Sequence, residues 1–180
     1  TDMKEFDVDS FRQLFPILEQ KIENHALVYF DNAATTQKPD VVIQEEVRYY
    51  QETNANVHRA AHHLSAIATS QFERARSVAK NFINAQSSDE IVWTKGTTEA
   101  INLVAQCWGM QNLSAGDEIV LSYAEHHANL VPWQHIAQQT GAKIKVLPLD
   151  EHGVIDANHL SEIIGVQTKI VCVNHISNVV

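Results

Sequence analysis

The sequence predicts an α/β fold, a largely parallel sheet with helices on both faces. Two observations carry that reading. From Glu90 onward, short β-branched runs alternate with stretches of helical apolar spacing, and strands that alternate with helices cross over and so run parallel. Turn residues at Gly116-Asp117 and Gly141 punctuate the joins.

Taken in order, Asp9-Ser10 can cap a short helix through about Leu18, with Phe11, Leu14 and Phe15 on one face. Val28-Tyr29-Phe30 reads as a short strand, followed by the turn-rich Asp31-Asn32-Ala33-Ala34-Thr35-Thr36. Pro39 suits the first turn of a helix carrying Val42, Ile43, Val47 and Tyr50. Thr53 to His63 has no clean period and reads as a loop. From Leu64 to Ile83 an apolar stripe recurs at about 3.6 residues per turn, which predicts a helix. The regular part then reads as strand Glu90–Thr94, helix Thr97–Trp108, strand Glu118–Ser122 and a helix from about Ala128 to Gln139. Strand Lys143–Leu147, helix Ala157–Ile164 and strand Lys169–Asn174 complete it, with Gly141 placed as a helix C′ residue. No repeat, low-complexity tract or linker stands out. The last residues leave a strand end with no closing element, as if the chain stopped inside a domain.

A chain of 180 residues with 44% apolar content is large enough for one domain with a real core. Thirteen basic against 22 acidic residues give a net charge of −9, a balance that disfavours nucleic acid and anionic membranes as partners. No apolar run approaches the roughly 18 residues of a membrane span, and Thr1 to Phe15 is unlike a secretory signal. Cys107 and Cys172 lie in apolar surroundings and read as two buried, isolated thiols. That usage points to a reducing compartment, by default the cytoplasm.

Three polar segments leave strand C-termini: Gly96-Thr97-Thr98, Glu125-His126-His127-Ala128-Asn129, and His175-Ile176-Ser177-Asn178. In open α/β sheets such ends border one crevice. At Thr97-Thr98, unpaired backbone N–H groups, the helix dipole and two hydroxyls together favour an anion such as phosphate. A Thr-capped helix with no ligand reads the same way, since the turn is neither a Walker A pattern nor a dinucleotide fingerprint. Glu99 is placed to compensate the helix dipole in the first turn. His126 and His127 admit several roles. A zinc site lacks further ligands at suitable spacing, and a Cys–His pair with Cys107 would use a thiol inside a helix. A third reading is a flat ring at a strand end that stacks on a planar cofactor and moves protons near neutral pH. His127, His62, His63, His135, His152 and His159 read as ordinary loop or polar-face histidines.

Five blocks follow one another: Tyr29 to Pro39, Asn56-Val57-His58-Arg59, Lys95-Gly96-Thr97-Thr98-Glu99-Ala100-Ile101-Asn102, Glu125 to Trp133, and His175 to Val179. Together they resemble the pyridoxal-phosphate-dependent cysteine desulfurases of the class containing SufS and CsdA, relatives of the fold-type I, class V aminotransferases. Lys95 stands where the family usually has arginine, a departure that hardly touches the phosphate argument. The resemblance implies part of a fold-type I large domain: residues 1–25 would begin the small domain, and 26–180 would form the N-terminal part of the cofactor domain. It implies that Thr97 and Thr98 bind the cofactor phosphate. His126 would stack on the pyridine ring and take part in proton transfer. Asn178 would lie near the ring and the substrate carboxylate, Ala33 and Ala34 would border the substrate, and His58 and Arg59 would stand near the mouth of the site.

The implied reaction turns L-cysteine into L-alanine, the sulfur passing to an enzyme cysteine as a persulfide for iron–sulfur cluster assembly or another acceptor protein. The family's Schiff-base lysine, pyridine-nitrogen carboxylate and nucleophilic cysteine find no match in the chain, so a fragment of this extent is expected to be inactive alone and the full-length protein to be a homodimer. Within the fold class, a selenocysteine lyase acting on L-selenocysteine or an aminotransferase-like enzyme is the alternative. A non-catalytic phosphate-binding or assembly domain is the alternative of another class.

Overall fold

A computed structural model describes residues 6–59 and 61–179, in two compact units divided between Val92 and Trp93. The outermost residues of the segments expected at 1–25 and 26–180, namely 1–5 and 180, lie outside the described residues.

In the first unit, helix α1 spans Val8–Arg12 and is capped by Asp7, whose carboxylate accepts from the Ser10 N–H at 3.1 Å. The helix expected to run from Asp9-Ser10 to about Leu18 is therefore shorter. Phe15 precedes a proline, which pushes it to extended φ and ψ of −115° and 98°, and Pro16 opens a separate 3-10 turn, Pro16–Glu19. The strand expected at Val28–Phe30 has no ladder partner among the described residues. Pairing occurs just before it instead, between β1 (Lys21–Ile22) and β2 (His25–Ala26), antiparallel across a turn in which Glu23 and Asn24 both take positive φ, 50° and 68°.

Helix α2 covers Asp40–Arg48 and continues as a π turn through Tyr49–Thr53. Pro39 is its N-cap, one residue before the expected first turn. Helix α3 is His63–Phe82, matching the apolar stripe from Leu64 within a residue at either end. Its start is fixed by His62, whose ring accepts from the Ser65 N–H at 3.3 Å. Ser65 and Ala68 are its buried residues, and the Ser65 hydroxyl donates to the Asn56 carbonyl at 2.7 Å. The strand expected at Glu90–Thr94 is absent. Glu90 closes a capping box with Ser87 around the turn Ser88–Glu90, and residues 91–94 have no ladder partner among those described.

The second unit holds the parallel sheet. Its strands are β3 (Glu118–Ser122), β4 (Lys143–Leu147) and β5 (Thr168–Cys172), in the order β4-β3-β5 and all parallel. Helices α4 (Thr97–Val104), α5 (Met110–Asn112), α6 (Val131–Thr140) and α7 (Leu160–Ile163) accompany it. Ile119 and Leu121 point into a core with Trp133 and Ile136 of α6. Val120, on the opposite face, is equally buried. Its register partner Lys145 reaches the Ile163 carbonyl of α7 with Nζ at 3.3 Å. Helices therefore cover β3 on both faces, as the continuous apolar run of a parallel central strand requires. Burying each of Ile119, Leu121 and Trp133 contributes on the order of 1.5–3 kcal/mol.

Two expectations change here. The helix thought to end at Trp108 continues through a π turn, Ala105–Gly109, into α5. Ala105 and Gly109, four residues apart, face the core, so Cys107 between them is turned outward. Cys107 is thus exposed, not buried. Gly109 lies against α6: a Cβ there would meet Ile136 at 3.2 Å and Trp133 at 3.5 Å. Gly141 closes α6 in the left-handed region at φ 77°, as its place in the sequence implies.

Candidate active site

The exits of β3 and β5 lie side by side, and their polar residues form one hydrogen-bonded group. Glu125, just past the end of β3, is half-buried. Its Oε1 accepts from the Ser122 hydroxyl and from the Asn174 backbone N–H at 2.9 Å. Its Oε2 accepts from Asn129 Nδ2 at 2.7 Å. Asn129 Oδ1 in turn accepts from the indole N–H of the buried Trp133 at 3.1 Å. On the β5 side, Asn174 Nδ2 donates to the Ala124 carbonyl at 3.3 Å. Cys172, half-buried behind this group, has its thiol pushed up to about 12, by burial first and by the neighbouring Glu125 charge second.

His126 follows Glu125 directly and caps the short turn His127–Asn129, its Nδ1 accepting from the Ala128 N–H at 3.1 Å. That bond fixes Nδ1 as the acceptor, so the neutral ring carries its proton on Nε2. The ring is exposed and meets His127 edge-on, with centroids 6.1 Å apart.

Helix α4 packs against this same turn. Its first residues, Thr97 and Thr98, are exposed, and as first-turn positions their N–H groups have no intrahelical acceptor. Glu99 accepts from the Lys95 N–H at 2.6 Å, the local first-turn role its position implies. Gly96 is extended, with φ 163° and ψ 178°, and a Cβ added there would meet nothing within 4 Å. Space in front of the turn, not backbone strain, is what that glycine leaves.

Comparison with known proteins identifies the family. The family model described as aminotransferase class-V matches residues 28–180. The chain belongs to the class-V aminotransferase family. This class-V chain is similar to a protein of Synechocystis sp. named probable cysteine desulfurase, 54% identical over 93% of the chain and 40% of that relative. Among solved structures it is similar to the cysteine desulfurase CsdA of Escherichia coli, with TM-score 0.75 and 42% identity over 93% of this chain and 41% of that one. A cysteine desulfurase of Thermococcus onnurineus, solved in its apo form, superposes with TM-score 0.86 and 37% identity over 98% of this chain and 42% of that one. The class-V chain thus spans less than half the length of each of these relatives.

The remaining residues expected at the site fall as follows. Asn178 is exposed, four positions beyond the Asn174 contact. In the first unit, Ala33 and Ala34 are exposed within a turn that the Tyr29 hydroxyl ties down through the Asp31 carbonyl at 3.1 Å and the Thr35 carbonyl. His58 adopts positive φ, 65°. Its N–H donates to Thr69 Oγ1 at 3.0 Å, and its Nε2 meets Glu73 Oε1 at 2.9 Å. Arg59 beside it is exposed. Missing from the sequence reading are Glu125, Asn129 and Asn174 as a connected group. The four-residue steps from Glu125 to Asn129 to Trp133 were the available sign that these side chains could meet.

Proposed function

We propose that the full-length protein is a pyridoxal-phosphate-dependent cysteine desulfurase. It would convert L-cysteine to L-alanine and pass the sulfur to an enzyme cysteine as a persulfide for an acceptor protein, such as one that assembles iron–sulfur clusters. The observation that carries this reading is the packing of helix α4, whose first residues are Thr97 and Thr98, against the turn that His126 caps. An anion-binding helix start and a flat, protonatable ring there belong to the same compact unit, and the chain is similar over most of its length to cysteine desulfurases.

The residues fit the group. Thr97 and Thr98 would hold its phosphate through first-turn N–H groups and hydroxyls, with Gly96 leaving room for the approach. A helix start contributes only about 0.3–1 kcal/mol to an anion, so both hydroxyls are needed as further donors. When bound, pyridoxal phosphate supplies an electron sink. His126 would stack on its ring and hold or release a proton at Nε2, the nitrogen that its own turn leaves free of the Ala128 bond. Asn178 would orient the substrate carboxylate, and Ala33, Ala34, His58 and Arg59 would border the substrate. In this reading residues 1–25 belong to the small domain and 26–180 to the large one, in a cytoplasmic homodimer. Among the described residues no helix is long and apolar enough to cross a membrane.

Incubating the full-length protein with pyridoxal phosphate and L-cysteine should yield L-alanine and reducible sulfane sulfur in equal amounts. Absence of alanine would sink the reading. Turnover of L-selenocysteine alone would reassign the protein as a selenocysteine lyase, and cofactor binding without turnover would favour a non-catalytic role.

A further inference from the structure

The Glu125 side chain ties the β3 exit to the β5 exit, as the Asn174 amide also does through the Ala124 carbonyl. Through Oε1 it holds the Asn174 N–H beyond β5, and through Ser122 and Asn129 it holds the turn that begins at His126. We infer that Glu125 is a positioning residue, a carboxylate clip that keeps His126 and the segment leading to Asn178 in one geometry. The inference rests on the reading of those two as site residues.

The argument lies in the polarity of the hydrogen bonds. The Trp133 indole can only donate, so Asn129 must turn its oxygen toward Trp133 and its Nδ2 toward position 125. Position 125 must then accept from Asn129 on one oxygen. Its other oxygen meets two more donors, the Ser122 hydroxyl and the Asn174 N–H. A carboxylate satisfies all three. Glutamine has the same shape, but turned one way it sets its NH2 against the Asn174 N–H, and turned the other way against the Asn129 NH2. Flipping Asn129 to relieve that clash sets its NH2 against the Trp133 indole, whose side chain is buried. One donor is stranded either way, which costs more than a bond never made. Exchanging the two groups, with glutamine at 125 and aspartate at 129, restores every partner: the glutamine amide donates to the aspartate, which also accepts from Trp133.

The test follows hydrogen–deuterium exchange of residues 123–130 and 172–179 in the full-length protein, for wild type, E125Q and the double variant E125Q/N129D. E125Q should speed exchange about tenfold in both segments, and the double variant should return both to within about twofold. In parallel, E125Q should lower kcat for L-cysteine about tenfold with KM moved less than about twofold, and the double variant should recover it. A change confined to 123–130, or a double variant no better than the single one, overturns the proposal. Altered exchange with unchanged kcat overturns it too, leaving Glu125 a purely structural tie. If wild type makes no alanine, it is the function reading that fails, and the exchange measurements still decide the clip. If E125Q does not fold, restored folding in the double variant supports the inference and continued failure overturns it.

Discussion

Gly141 and Ala115 approach so closely that a Cβ built on the glycine would lie 3.1 Å from the alanine methyl. The contact closes α6 just before the chain enters β4, and Gly141 meets it in the left-handed region. Gly141→Ala should therefore lose about 1–2 kcal/mol from backbone strain, with the methyl contact adding to it. A urea unfolding midpoint equal to that of wild type would refute this.

His126 is exposed, and its ring makes one hydrogen bond within its own turn. His126→Ala should thus cost no more than about 1.5 kcal/mol of stability. Turnover of L-cysteine by the full-length protein should fall by at least about a hundredfold. Comparable losses of melting temperature and activity would instead assign the ring to packing.

The two thiols should differ sharply in reactivity. Cys107 stands exposed on its π turn, whereas Cys172 is half-buried and its thiol is pushed up to about 12 by burial and the Glu125 charge. Alkylation proceeds through the thiolate. Iodoacetamide at pH 8 should modify Cys107 more than about tenfold faster than Cys172 in the native protein, as read by peptide mass spectrometry. Equal rates would remove the argument that Cys172 is inert.

Asp117 accepts from both the hydroxyl and the N–H of Ser114, each at 2.9 Å, and lies near Lys169. These contacts, Ser114 foremost, hold its carboxyl below the ordinary 3.8. A carboxyl depressed in the folded state adds stability above its unfolded pKa and loses it as pH falls through the folded one. The melting temperatures of wild type and Asp117→Asn should accordingly differ most at neutral pH and converge as the pH drops below about 3.8. A gap that stays constant with pH would contradict the assignment.

What could be read in advance was what depends on local pattern. β3 and β4 are marked by Ile119-Val120-Leu121 and by Ile144, Val146 and Leu147 between turn residues, and Gly141 by the need for a left-handed cap. Val28–Phe30 and Ile91–Thr94 have the composition of strands, but a strand exists only where a neighbour offers its backbone, and residue choice does not reveal that neighbour. Cys107 was misread because its apolar sequence neighbours suggested burial, whereas Ala105 and Gly109 are the positions that face the core and leave it outside. The site divided in the same way. Thr97 and Thr98 stand out as hydroxyls at a helix start and His126 as a ring past a strand, whereas the bond from Asn174 to Glu125 joins positions 49 apart and becomes visible only once β3 and β5 are paired.

The directed run of hydrogen bonds from Trp133 through Asn129 to Glu125 also bears on how this sequence can drift. Neither 125 nor 129 is free to change by itself, because glutamine at 125 sets two donors face to face and aspartate at 129 sets two carboxylates face to face. Among homologues the two positions should therefore move as a pair, carboxylate and amide trading places. A lineage carrying the exchanged pair must have crossed a weakened intermediate or changed Trp133 first.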